Sequence, residues 1–339
     1  MRRLGTLALA AVLGLLLFAV GGIGLFRHPP DERPDVRFSP EAGVLFLPAG
    51  GGASVAGTIA SLQDRLRAMP TDWRGFAKLG LAYVQEARIT ADPGSYPRAE
   101  GVLRRSLELN GRDNFEALLG MGALTLARHE FEAALAWGKR ARVENPYNAE
   151  VYGVIGDAQL ELGRYHDAFD TFQAMVDTRP DLASYARVSY ARELRGHVGG
   201  AIVAMKAALV AAGTPEDAAW AHYQLGELYF NSGRLHQAKA AYRGGVALAP
   251  DFIPPHAGLA KVEWAEGDLE RAIHGYSWVV RRFPAPEHVI ALGDLYAANG
   301  QDTLAEQQYA LVRAEEDLFR ANGVNVDLEL ALFDADHGH

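Results

Sequence analysis

The chain has 339 residues, no cysteine and a formal net charge of −9. The missing cysteine excludes disulfides, thiolate zinc sites and a cysteine nucleophile. The acidic balance argues against nucleic acid as a partner, and Arg2 and Arg3 are the only charges before Arg27, so the remainder is more acidic still.

Leu4 to Phe26 is a run of 23 residues without a charge. As a helix it is long enough to cross a hydrocarbon core of about 30 Å, so residues 1–26 are expected to form a single N-terminal transmembrane signal anchor. The competing reading is a cleaved signal peptide that releases a secreted protein, with small residues at Ala19 and Gly21 or at Gly22 and Gly24. A short basic leader before the run favours a cytoplasmic amino terminus and extracytoplasmic repeats in a bacterial plasma membrane, although Arg27, Arg33 and Arg37 stand on the opposite flank. Residues 27–53, with His28-Pro29-Pro30-Asp31 and Pro48-Ala49-Gly50-Gly51-Gly52, have no helical period and read as a flexible linker. The glycines lack the Gly-Lys-Ser/Thr ending of a phosphate loop. Residues 54–70 form an N-terminal capping helix in this reading, with Ser54 at its start, Ile59, Leu62, Leu66 and Met69 on one side, and Pro70 at its end.

From residue 71 to 321 the pattern repeats. Its clearest copy runs from Ala149 to Pro180: Tyr152, Ile155, Gly156 and Gln159 share one face of a first helix. Gly163 supplies the turn, Tyr165, Ala168, Phe169, Phe172 and Met175 stripe a second helix, and Pro180 stops it. Such a hairpin cannot bury both its faces, so it has to stack on copies of itself. The small residue after the turn recurs as Ala99, Ala134, Ala168, Ala201, Ala238, Ala272 and Ala305, at spacings of 35, 34, 33, 37, 34 and 33. Turn glycines recur at Gly163, Gly196, Gly233, Gly267 and Gly300. Gly80, Gly122, Gly156, Gly226, Ala260 and Gly293 keep the first helix thin where the second must approach it. The first repeat is interrupted, and Gln85 to Arg98 reads as a longer loop around Asp92-Pro93-Gly94.

Leu225-Gly226, Tyr229, Gly233, Ala238, Tyr242 and Pro250, with Leu292-Gly293, Tyr296, Gly300, Ala305 and Tyr309, resemble the tetratricopeptide (TPR) repeat. The resemblance covers about 250 residues and implies an all-α protein, a right-handed superhelical α-solenoid of about seven TPR helix hairpins. It also implies a non-catalytic scaffold that binds a protein or peptide in a concave groove lined by the first helices. Carrying the family's groove positions over gives Asp157, Glu161, Tyr190, Glu193, Trp220, Tyr223, Glu227, Phe230, Asn231, Lys261, Trp264 and Asp294. Aromatic rings among carboxylates suit an apolar, partly basic peptide or helix. The lysine and asparagine with which some members clamp a terminal carboxylate are missing, since those two positions hold Tyr223 and Glu227 in one repeat and Ala257 and Lys261 in the next. Ser61 to Trp73, leading into Leu79-Gly80, is similar to the repeats of cytochrome c maturation factors, which gives an envelope assembly factor as an alternative.

After a long last helix ending at Asn322-Gly323, residues 322–339 are expected to hold a short cap from Asp327 to Phe333 and a solvated tail. Asp334, Asp336, His337 and His339 are the one cluster with metal-ligand character, the basis of a metal-handling alternative. No His-Glu-x-x-His, hydrolase triad or dinucleotide fingerprint occurs, so neither an enzyme nor a cofactor is expected. The oligomeric state is left open.

Overall fold

The computed structural model describes residues 55–90, 92–325 and 327–337. The apolar run Leu4 to Phe26, the linker, the Ser54 cap and His339 lie outside them. The described residues form sixteen α-helices and no strand: α1 Val55–Ala68, α2 Trp73–Thr90, α3 Ser95–Leu109, α4 Phe115–Ala127, α5 Phe131–Glu144, α6 Ala149–Glu161, α7 Tyr165–Thr178, α8 Leu182–Leu194, α9 Val198–Val210, α10 Pro215–Asn231, α11 Leu235–Leu248, α12 Ile253–Ala265, α13 Leu269–Val280, α14 Pro286–Ala298, α15 Asp302–Ala321 and α16 Asp327–His337. Among these residues no helix is long and apolar enough to cross a membrane.

The helices pack as hairpins, α2 on α3, α4 on α5, α6 on α7, α10 on α11 and α12 on α13, and first helices pack on the first helices that follow, as α10 does on α12. This is an all-α helical-repeat solenoid. The described residues fall into two compact units, one of residues 55–187 with Leu318–Asn325, the other of Val188–Asp317 with residues 327–337. Starts are set by polar side chains: Asn148 accepts from the Glu150 amide, Asp268 from that of Arg271, and Thr214 from that of Asp217 with Pro215 entering the first turn. Packing inside a hairpin depends on missing side chains. A Cβ added to Gly226 would stand 2.2 Å from the Tyr242 ring, so the tyrosine of α11 fits only because α10 is bare there.

The irregular spacings are absorbed by helix length. Where the interval is 37, α10 has 17 residues against 13 in α6. The expected Gln85 to Arg98 loop is also mostly helix. The α2 helix continues to Thr90 and α3 begins at Ser95, which leaves only the short link around Asp92. Side chains hold the lengthened hairpin together: Ser95 Oγ donates to Glu86 Oε2 at 2.7 Å, Arg98 reaches Ser95 Oγ at 2.6 Å, and Asp92 caps the Gly94 amide at 2.9 Å.

One turn departs from the glycine rule. The hairpin α4/α5 has His129 at φ 61°, where the later turns have glycine at φ between 72° and 87°. A non-glycine residue there carries strain, and the side chain gains a contact in return. His129 Nδ1 lies 2.7 Å from the carbonyl oxygen of Asn325, whose amide donates to Arg128 O at 3.3 Å. The segment Leu318–Asn325 is thereby tied to its own unit, and the Arg128 side chain, paired with Glu100 Oε2 at 2.5 Å, lies against Gly323.

Candidate partner-binding face and its seams

In the unit containing α10 to α16, the first helices place their ninth repeat positions inward against the neighbouring repeat. Glu227 of α10 is only 2 % exposed. Its Oε1 accepts from the hydroxyl of Tyr242 at 2.5 Å and its Oε2 from Lys261 Nζ at 2.5 Å. Tyr242 stands 15 residues on, in the second helix of the same repeat, and Lys261 stands 34 residues on, in the first helix of the next. The lysine is 3 % exposed and its ammonium also sits 4.4 Å from the centre of the Phe230 ring. A buried carboxylate is tolerable only with partners of this kind. Burial, then the Glu227 charge, pushes the Tyr242 phenol well above its usual range and keeps it a donor.

Asp294 of α14 repeats the arrangement at the end of the array. Tyr309, again 15 residues on, donates its hydroxyl to Asp294 Oδ1 at 2.8 Å, and His337 Nε2 of α16 approaches the same oxygen at 3.0 Å. His337 Nδ1 lies 2.8 Å from the carbonyl oxygen of Phe333. A carbonyl and a carboxylate are both acceptors, so the two contacts favour the protonated ring, in which both nitrogens donate. Burial opposes that charge, while the hydrogen bond to Asp294, the bond to the Phe333 carbonyl and the nearby carboxylates outweigh it, so the pKa of His337 is raised.

In the unit containing α2 to α7, Arg187 forks onto Asp157, Nε to Oδ1 at 2.8 Å and Nη2 to Oδ2 at 2.6 Å. The guanidinium is 1 % exposed and fits because Gly153 has no side chain: a Cβ there would stand 3.1 Å from its central carbon. Burial pushes the Asp157 carboxyl up and the Arg187 charge opposes it.

The expected groove residues divide by burial. Tyr223, Glu227, Phe230, Lys261 and Asp294 are buried and Asp157 is tied to Arg187, so they hold repeats together and their polar atoms are already engaged from within. Glu161, Tyr190, Glu193, Trp220, Asn231 and Trp264 remain half-buried and reach the surface. Asn231 Nδ2 donates to Glu193 Oε1 at 3.2 Å, and burial followed by repulsion from Glu227 raises the Glu193 carboxyl well above its usual range, with Lys261 opposing. Trp264 packs on the core built around Tyr242 and Tyr276. Tyr242 and Tyr309 entered the sequence reading only as residues of the repeat pattern, with no polar role, and Arg187 did not enter it. Their signal was available, as an acid and a tyrosine 15 residues apart in two repeats.

The third repeat in this series tests the pattern. Its ninth position is Lys261, not an acid, and the tyrosine 15 residues on, Tyr276, is fully buried with a hydroxyl that meets no acceptor in the structure. Beside it, His288 is held neutral: burial first and the Lys261 charge second bring its pKa down to about 4.

Of the four tail residues, His339 lies outside the described residues. Asp334, Asp336 and His337 lie on α16, which extends past the expected Phe333, and His337 is turned to Asp294. Among the described residues no group of three or more His, Asp or Glu side chains could hold a metal ion.

A family model described as a tetratricopeptide repeat matches residues 84–149 and 258–317, and a second model of the same description matches 221–252. The chain carries tetratricopeptide repeats. No curated protein matches it. Among solved structures with these repeats or their fold, yeast Tom70 aligns with a TM-score of 0.58 at 13 % identity, over 99 % of this chain and 74 % of that one. A chain of the APC/C hetero-tetramer Cut9-Hcn1 aligns at 0.57 and 11 % identity over 80 % of this chain, which spans 53 % of that longer one. A tetratricopeptide repeat protein from Parabacteroides merdae ATCC 43184 aligns at 0.51 and 14 % identity, over 73 % of this chain and 98 % of its own. At these identities the likeness is one of fold.

Proposed function

We propose that this chain is a non-catalytic tetratricopeptide scaffold, tethered to a bacterial plasma membrane by Leu4 to Phe26, that holds a protein or peptide partner outside the cytoplasm on the first-helix face of α8, α10 and α12. The observation that carries the binding face is the contrast in burial along those helices. The Glu227 and Lys261 pair joins α10 to α12 from within, and Trp220 and Asn231 on α10, Trp264 on α12 and Tyr190 on α8 are left half-exposed. Rigid aromatic anchors beside the Glu193 carboxyl suit an apolar helix or peptide with a hydrogen-bond donor. The tether rests on the uncharged run and the proline- and glycine-rich linker that follows it.

In-cell photocrosslinking from positions 220 and 264, with exposed Arg243 on α11 as control, tests the face. One protein captured from both first-helix sites and not from 243 is the expected result. Equal capture from all three sites, or none, overturns it. Digestion by added protease in intact spheroplasts is expected, and protection of the repeats would place them inside.

A further inference from the structure

We propose that the corner at the end of α5, where Lys139, Arg140 and Arg142 surround Val143 and lead into Tyr147, is a lipid-contact site for an anionic membrane surface. The proposal goes beyond the scaffold reading and rests on it only for the tether that keeps the corner close to a bilayer. Its starting point is exposure. Val143 is 83 % and Tyr147 87 % exposed, whereas the next most exposed large apolar side chains of the same unit, Met69 and Ile89, stand at 52 %. The link that carries the tyrosine is held in place. Asn145 Oδ1 accepts from the Tyr147 amide at 3.1 Å, Tyr152 donates its hydroxyl to the Pro146 carbonyl at 2.8 Å, and Asn148 Oδ1 caps the Glu150 amide at 2.8 Å. The backbone is fixed and the ring is left in solvent.

The second observation is charge. Ala136, Lys139 and Val143, at offsets of three and four, share the outward face of α5, because Ala134, Leu135, Gly138 and Ala141 turn inward. Arg140 and Arg142 are exposed on either side of Val143, and the Arg140 guanidinium lies 4.3 Å above the Trp137 ring. The neighbouring second helices differ. On α3 the exposed Arg104 and Arg105 are paired with Glu100 and Glu108, and on α7 the exposed charges are Asp167, Asp170 and Asp177. Among the described residues no ion pair engages Lys139, Arg140 or Arg142. In a chain of net charge −9, the last two turns of α5 therefore set three cations against one carboxylate, Glu144, beside an exposed valine and tyrosine. An anionic bilayer answers both halves of this surface: headgroup phosphates meet the cations, and Val143 and Tyr147 enter the interfacial layer, where a tyrosine ring is favoured. An acidic chain would answer the cations alone. Residues 27–54 separate the proposed anchor from α1 by at most about 100 Å when fully extended, so even a weak contact is occupied.

The chain has no cysteine, so Val143→Cys can carry a single nitrobenzoxadiazole label, and Val210→Cys on α9, 88 % exposed and without a cationic cluster, is the control. The full chain is reconstituted into vesicles of phosphatidylcholine with one third phosphatidylglycerol, their acyl chains brominated. Quenching at 143 and not at 210 is expected, with several-fold less in pure phosphatidylcholine or in half-molar salt. Each basic residue near such a surface contributes about fivefold to partitioning, so Lys139→Gln, Arg140→Gln and Arg142→Gln together should weaken the contact about a hundredfold and abolish quenching. An unquenched label at 143, equal quenching at 143 and 210, or quenching that survives the triple variant overturns the proposal. So does a label that responds to polyglutamate and not to the mixed vesicles, which would give the face to an acidic protein. Alkaline carbonate extraction of the same vesicles reads the anchor separately: a chain that is extracted yet quenched at 143 on mixed vesicles keeps the lipid site and loses the tether, and an embedded chain without quenching loses only the site.

Discussion

At Glu227 the seam carboxylate meets a tyrosine from its own repeat and a lysine from the next; at Asp294 it meets a tyrosine and the histidine of a terminal helix. The geometry is shared and the permanence of the charge is not. The first cation is a lysine ammonium, and the second is a histidine that carries charge only when its ring is protonated. The same device thus joins two repeats in the middle of the array and seats α16 against the last described hairpin. Removing the permanent cation gives the largest expected effect. Lys261→Ala strands Glu227 with Tyr242 alone, at a cost of about 3–5 kcal/mol in a urea titration. A Glu227→Gln, Lys261→Met double variant should recover most of that loss. Equal losses in the single and double variants would mean that the pair contributes packing and not charge compensation.

The tyrosines come next. Tyr242→Phe and Tyr309→Phe each remove a hydrogen bond to a buried carboxylate, worth roughly 1.5–3 kcal/mol. If the seams are equivalent, the two losses agree after allowance for the smaller core at Tyr309. A Tyr309→Phe variant as stable as the parent would show that His337 alone satisfies Asp294.

The fold was legible because the register is written in small residues. Ala168, Gly226 and their counterparts mark every place where two helices touch, and a helix pair that cannot bury itself has to stack. The seams were less legible for a physical reason. Periodicity assigns Glu227 and Asp294 to a helix face, but whether that face looks to solvent or to the next repeat depends on the stagger between hairpins, which no single hairpin encodes. The family's groove positions therefore carried buried and half-exposed residues together, Glu227 with Trp220. The turn at His129 was hidden for another reason: its positive φ is sustained by Asn325, nearly two hundred residues away. The end of the chain was read as a solvated tail because the sequence shows two acids and two histidines there and gives no sign that Asp294 lacks a partner.

The pH dependence separates the seams more finely. The folded-state pKa of His337 is raised above 6.5, so its contribution to holding α16 is complete below about pH 6.5 and is lost as the pH rises through the raised value. The protection factors of amides across 330–337, taken against intrinsic exchange at each pH, should therefore fall at alkaline pH in the parent and show no such step in His337→Lys. Those of α12, whose seam cation is a lysine, serve as the internal comparison and should show no step matching that of His337. His288 acts with the opposite sign. Its pKa falls to about 4, so its share of stability is present above pH 6.5 and lost as the pH drops toward 4, giving an acid limb that His288→Phe should remove.

The smallest expected effect is also the sharpest check on the seam itself. In the repeat between the two seams the ninth position is Lys261, which faces back to Glu227, so Tyr276 has no carboxylate in its own repeat to receive its hydroxyl. The shared spacing of 15 residues predicts three equivalent tyrosines, whereas the structure makes two of them donors and leaves the third without an acceptor. A buried hydroxyl with no acceptor is a liability. Tyr276→Phe should leave stability unchanged or raise it by up to about 1 kcal/mol, against the clear losses for Tyr242→Phe and Tyr309→Phe. A loss at Tyr276 as large as at Tyr242 would mean that its hydroxyl has an acceptor in solution, and the rule that couples each seam tyrosine to an acid 15 residues before it would fail.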